Sequence, residues 1–205
     1  MRITWYGHSC FKIESGSGSV VFDPYSNGSV PGLELPKGLT ADVVICSHGH
    51  TDHNAEGLVA LSGSTSSEIQ VETLYTWHDG EKGAKRGENR ISVVQVDGIR
   101  VAHLGDIGCD LTTGQKHILG RLDVLMLPVG GKYTIDAQQA KRLADELNAA
   151  VTIPMHYKSG SFGLADIAGV EDYAALCGDV EYLDSDTLEI ERRQPGHRTV
   201  VFKLK

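Results

Sequence analysis

The sequence predicts an α/β protein built on mixed β-sheets, and three observations carry that expectation. Ten short runs rich in β-branched and aromatic residues read as strands: "RITWY", "CFKIES", "SVVFD", "DVVICS", "IQVETLYTW", "RISVVQV", "IRVAHLG", "DVLMLPV", "VTIPMHY" and "TVVFKLK". Helical patterns lie among them, clearest in "DAQQAKRLADELNAA", where Ala140, Leu143, Ala144 and Leu147 share one face. The early strands are joined by turns too short for a crossover, so part of the sheet is antiparallel and the whole is mixed.

Taken in order, "RITWY" and "CFKIES" alternate as a strand pair, and "SGSGS", Ser15 to Ser19, reads as the hairpin turn into "SVVFD". "DVVIC", Asp42 to Cys46, is an apolar run suited to a buried strand, and "NAEGLVAL" after it starts like a helix. Without a repeat or a linker, the expectation is one domain over residues 1–205. The N-terminus lacks the apolar core of a signal peptide, and nowhere do eighteen apolar residues run together. Cys10, Cys46, Cys109 and Cys177 stand far apart, with no C-x-x-C. Together these predict a cytoplasmic protein without a membrane span. The net charge of -8 argues against general nucleic-acid binding, which needs clustered cations. Positive charge gathers in "EKGAKRGENR" and the tail "RRQPGHRTVVFKLK", both read as solvated surface.

The chemistry concentrates in "CSHGHTDHNAEG", residues 46–57, which carries His48, His50, Asp52 and His53. Imidazole and carboxylate are the ligands that zinc and similar ions prefer, and four of them this close are costly to desolvate without a cation to share. Residues two apart lie nearly opposite on a helix but on one side of an extended segment, so His48 and His50 grip one ion only from a strand end. Further candidate ligands follow other strand-like runs: His78 after "ETLYTW", Asp106 after "IRVAHLG", His156 after "VTIPM". In open α/β sheets, loops at the carboxyl ends of strands converge on ligands. Seven ligands exceed what one reactive ion uses. They suit two ions, each with three ligands of its own and one shared carboxylate.

These residues, with "GHSCFKIE", "VVFDPY", "WHDGEKGAKRGENRI", "RVAHLGDIG", "PVGGKYTIDA" and "IPMHYK", resemble the metallo-β-lactamase superfamily in its small hydrolase branch, similar to ascorbate-phosphate lactonases. The likeness runs from about Met1 to Lys158 in matching order. It implies a four-layered αβ/βα sandwich with a dinuclear site at one edge. By position it implies His48, His50 and His78 on the first ion, Asp52, His53 and His156 on the second, and Asp106 bridging. The ions would be zinc, with manganese or iron suited to the same ligands. Asp23, His8, Asp79 and His103 are candidates for orienting ligand imidazoles from outside. Gly130 and Gly131 offer close backbone approach, and Lys132, Tyr133, Lys158 and Arg86 are candidate substrate contacts. A carboxylate at the bridging position departs from the antibiotic-hydrolysing members, which lack one.

A water shared by two divalent ions has its pKa lowered toward about 7, giving hydroxide at neutral pH. The expected activity is therefore hydrolysis of a small-molecule ester, lactone or phosphoester, with Asp52 orienting the nucleophile and relaying a proton. The alternative is a non-catalytic metal-bound sensor or interaction domain. The complete ligand set favours the enzyme, since a structural zinc site needs only four residues.

Overall fold

In chain order the elements of this computed structural model, which describes residues 1–63, 68–191 and 196–204, begin with β1 (Arg2–Trp5), β2 (Phe11–Ser15), β3 (Gly18–Phe22), β4 (Thr40–Ala41) and β5 (Val43–Ile45). A 3-10 turn (Glu56–Leu58) precedes β6 (Ala60–Leu61), β7 (Gln70–Trp77), β8 (Glu88–Val96) and β9 (Ile99–His103). Then come α1 (Thr113–Leu119), β10 (Val124–Pro128), α2 (Ala137–Leu147), β11 (Val151–Met155) and α3 (Val170–Ala174). The described chain closes with β12 (Val180–Tyr182), β13 (Thr187–Glu189) and β14 (Arg198–Val201).

Two mixed sheets result, beside a small parallel pair of β4 and β6. One has the order β13-β1-β2-β3-β5, antiparallel except for the β3–β5 pair. The other has the order β12-β14-β11-β10-β9-β8-β7, parallel from β12 to β9 and antiparallel from β9 to β7. Ser15 pairs with Gly18, so the expected hairpin turn is Gly16 and Ser17. All residues of β10 and β11 are buried, as continuous apolar runs demand of parallel strands covered on both faces. Helix α2 packs on β10, α3 on β11 and the two on each other, so together they cover one face of the seven-stranded sheet in this mixed α/β fold. On the first sheet, alternation buries Ile3, Trp5, Phe11 and Ile13 and leaves Thr4, Lys12 and Glu14 partly exposed on the other face.

Helix α2 forms where its pattern and caps agree. Asp136 accepts from the Gln139 N–H, the Gln139 side chain reaches back, and Asn148 ends the helix in the left-handed conformation. Its buried face is Ala140, Leu143, Ala144 and Leu147, and each leucine contributes about 1.5–3 kcal/mol of apolar transfer. The helix expected from "NAEGLVAL" is a single 3-10 turn instead. Ala55 makes no capping bond, no residue of the turn is buried, and Val59 turns to extended backbone at ψ 120 leading into β6. Helix α1 was not expected, although Thr112 and Gln115 form its capping box. Of the basic tail, residues 192–195 lie outside the described residues. Arg198 pairs with Glu181 and Lys203 with Asp184. No helix among the described residues is long and apolar enough to cross a membrane.

Candidate metal centre

Four strand ends deliver the site. His48 follows β5, His78 follows β7, Asp106 follows β9 and His156 follows β11, and the turn after His48 adds His50, Asp52 and His53. The chain crowds here at Gly105, which has φ +55; a Cβ there would lie 2.4 Å from Asn89 Oδ1 and 2.5 Å from Ser47 Cβ. His8, Asp23 and His156 also hold positive φ, at 52, 43 and 53. Such backbone costs about 1–3 kcal/mol per residue and clusters at functional sites.

The side chains meet around Asp106. Its Oδ2 lies 3.2 Å from His53 Nε2, 3.3 Å from His78 Nε2, 3.1 Å from His156 Nε2 and 3.9 Å from His48 Nε2. His48 Nε2 is 3.1 Å from His50 Nδ1, and Asp52 Oδ2 is 3.6 Å from His53 Nε2. Three sets have donor atoms within 4.8 Å of one another: His48, His50 and His78; His8, Asp52, His53 and His156; and His48, His53 and Asp106. With metal–nitrogen bonds of about 2.0–2.1 Å, donors around one ion stand roughly 3–4 Å apart, so each of these overlapping sets could hold an ion after a slight contraction. His53 Nε2, Asp106 Oδ1 and both nitrogens of His8 are buried without a hydrogen-bond partner, which a cation would remedy.

The outer contacts settle how the imidazoles face. Asp23 Oδ2 accepts from His53 Nδ1 at 2.7 Å and from Ser47 Oγ at 2.6 Å, and Oδ1 accepts from the Ser47 N–H at 2.7 Å. Ser47 Oγ in turn lies 2.9 Å from His48 Nδ1. The carbonyl of Tyr133 takes His78 Nδ1 at 3.1 Å. With these Nδ1 atoms engaged, the Nε2 lone pairs of His48, His53 and His78 face the centre. Asn89 fixes the backbone at Asp106: its Oδ1 accepts from the Asp106 N–H at 2.9 Å, and its Nδ2 donates to Thr76 and Leu104.

Burial pushes the His48 imidazole down to about 3, with the neighbouring His53 adding to the effect. Burial acts the same way on His8, lowering it to about 4. For His53, burial works against the charge but Asp106 and Asp23 overcome it, so this ring is held well above the ordinary histidine range. Asp106 is held well below the carboxylate range, since His156 and His53 outweigh its burial. Three imidazoles of one cluster are thus driven apart, His48 and His8 toward the neutral form and His53 toward the charged form beside an ionised Asp106.

The structure sorts the remaining candidates. Asp23 bonds the His53 ring at Nδ1. Asp79 does not orient a ligand: its carboxylate accepts from the N–H groups of Glu81, Gly83, Lys85 and Arg86 and organises that loop. Burial opposes its charge, yet these four bonds hold its pKa at about 2. His103 is a satisfied core histidine, with Nε2 at 2.9 Å from Ser9 O, Nδ1 accepting from the Gly105 N–H, and its ring stacked on Phe22 at 5.0 Å. His8 stands inside the donor cluster rather than behind it. A cleft of about 290 Å³ opens over the site, lined by His50, Asp52, His78, Arg86, Asp106, Tyr133, His156 and Leu164. Arg86 and Tyr133 therefore reach it, with the guanidinium 5.3 Å from the tyrosine ring centroid. Lys132 and Lys158 do not line it; Lys132 is exposed, and Lys158 Nζ donates to Ala165 O. The close approach at Gly130 serves the chain itself, since a Cβ would lie 2.2 Å from His156 O. Ser47, Asn89 and Leu164 were missed by sequence reasoning. Only Ser47, adjacent to His48, carried a signal.

Two mixed sheets with a histidine–aspartate double cluster where their strands end define a protein of the metallo-β-lactamase type. The model of the β-lactamase superfamily domain matches residues 2–156. The chain is 32% identical to a UPF0173 metal-dependent hydrolase of Methanosphaerula palustris and 30% identical to one of Archaeoglobus fulgidus, in each case over 78% of this chain and 84% of the relative. A crystal structure from Thermotoga maritima, described as a proposed Zn-dependent hydrolase of the metallo-β-lactamase superfamily, superposes with TM-score 0.81 at 34% identity, covering 100% of this chain and 99% of that one. The chain belongs to this superfamily and, within it, to the UPF0173 metal-dependent hydrolases.

Proposed function

We propose that this hydrolase uses two divalent ions to cleave a small ester, lactone or phosphoester. The observation that carries the reading is the position of Asp106: one buried carboxylate oxygen within 3.1–3.3 Å of three imidazoles drawn from both clusters. His48, His50 and His78 would hold one ion, Asp52, His53 and His156 the other, and Asp106 both. When bound, such a pair lowers the pKa of a shared water to about 7 and polarises the scissile carbonyl or phosphoryl group.

The chain's own residues supply orientation and recognition. Asp52 faces the cleft, its side chain 18% exposed. Burial would raise its pKa, but His8 and His53 hold it anionic, ready to accept a hydrogen bond from the attacking water and orient it. Arg86 has no ion-pair partner among the described residues and lines the cleft, so it can take an anionic oxygen of the substrate. The cleft's size favours a small molecule.

The test is turnover of a panel of lactones, thioesters and phosphodiesters by metal-loaded and chelated protein. Turnover of one class, abolished by chelation and restored by zinc or manganese, is expected. A two-ion protein inert toward the whole panel would favour the sensor reading.

A further inference from the structure

We infer that His8 is a direct ligand of the second ion, which is then held by His8, Asp52, His53, His156 and the shared Asp106, while the first ion keeps four protein donors. The inference rests on the two-ion reading above. His8 lies in the turn after β1, closed by the Cys10 N–H to Gly7 O at 2.9 Å. Its carbonyl accepts from Trp5 Nε1 at 3.1 Å and from the His156 N–H at 3.3 Å, so its backbone is fastened both to the core and to the strand end that carries His156. At φ 52 the position is one that few residues other than glycine adopt.

The side chain held at this strained position is fully buried, and neither Nδ1 nor Nε2 has a hydrogen-bond partner. A buried polar atom left unpaired costs about 1–3 kcal/mol, so a cavity of this polarity without a ligand would be an expensive choice. The ring centroid lies 4.2 Å from that of His156 and 5.0 Å from that of His53. The nearest carboxylate, Asp52 Oδ2, is 3.4 Å from Nε2, well beyond the roughly 2.7–2.9 Å of a charge-assisted hydrogen bond. An outer positioning role would leave the ring held by this one long contact alone, with Nδ1 facing no protein partner. Four groups offering lone pairs to one space, all donor atoms within 4.8 Å, are accounted for by a cation between them. The two sites then differ in kind. Four donors at the first suit tetrahedral zinc, and five at the second suit an ion of higher coordination, such as manganese or ferrous iron.

The experiment reloads chelated, histidine-15N-labelled protein with 113Cd. Two cadmium resonances are expected, with a 113Cd–15N scalar coupling from one of them to a ring nitrogen of His8, identified through its own side-chain correlations. His8→Asn, which tolerates positive φ, should weaken the second ion at least about tenfold and leave the first unchanged. Two resonances with His8 uncoupled would overturn the inference and leave the two-ion reading standing. A single resonance would refute that reading, and the inference with it. The coupling in the wild-type protein decides the matter even if the variant fails to fold.

Discussion

Replacing Asp23 by asparagine tests whether one buried carboxylate sets the tautomer of a ligand. Asp23 is 1% exposed, and its Oδ2 takes both His53 Nδ1 at 2.7 Å and Ser47 Oγ at 2.6 Å. With the asparagine oxygen kept on the Ser47 N–H, its NH2 group meets His53 Nδ1. Two donors cannot face each other, so Nδ1 becomes an acceptor and the proton moves to Nε2, the atom 3.2 Å from Asp106 that should ligate. Ser47 Oγ has two lone pairs and continues to accept from His48 Nδ1, so the first ion is spared. Restoring the productive tautomer forfeits a hydrogen bond to a charged group, about 1.5–3 kcal/mol. At 1.36 kcal/mol per factor of ten, Asp23→Asn should weaken the second ion about 10- to 100-fold and the first by less than about threefold. Competition titration against a chromophoric chelator measures both constants. Wild-type affinity at the second site in a folded variant would refute the argument and leave Asp23 a purely structural residue.

The raised pKa of His53 gives a pH dependence. The metal-free protein retains that proton at neutral pH because Asp106 and Asp23 outweigh burial, and it must leave before Nε2 can ligate. Affinity for the second ion should therefore rise with pH through the neutral range, with about one proton released on binding. Calorimetry in buffers of differing ionisation enthalpy counts it, and proton-free binding would contradict the assignment. Arg86→Gln should raise KM at least about tenfold for an anionic substrate with little change in kcat, as loss of uniform binding does. Asp79→Ala, which frees the loop carrying Arg86, should reproduce that KM effect without changing the metal content. An unaltered KM in both variants would remove Arg86 from substrate recognition.

The residues that the structure gathers into the histidine–aspartate cluster were legible because each rests on a local rule. Two-residue spacing in His48-x-His50 demands extended backbone, and polar residues directly after apolar runs fall at strand ends, where this sheet gathers them. The outer contacts were not legible. Residue type and proximity in sequence do not reveal which way a carboxylate turns, so Asp79, adjacent to His78, serves its own loop, while Asp23, far from His53 in sequence, holds that ring. His103 was ambiguous for the same reason: its partners, Ser9 O and Gly105 N–H, are visible only once β9 lies behind the turn after β1. Asn89 carried no signal, since its role depends on pairing between β8 and β9. In the fold, strong periodicity marked α2, whereas α1 spans only Thr113–Leu119 and buries Leu119 alone, too little apolar pattern to read.

The most direct test of the central claim is the number of ions bound per chain, measured by elemental analysis of metal-replete protein beside two variants. The wild type should hold two. Asp106→Asn, whose neutral carboxamide cannot serve two cations with comparable charge, should fall toward one and lose at least about a hundredfold in hydrolytic rate, roughly 2.7 kcal/mol of transition-state stabilisation. His117→Asn, at an exposed position on α1, should change neither. A wild-type protein that saturates at one ion, or an Asp106→Asn variant that keeps two ions and full activity, would contradict a shared metal pair as the reacting centre.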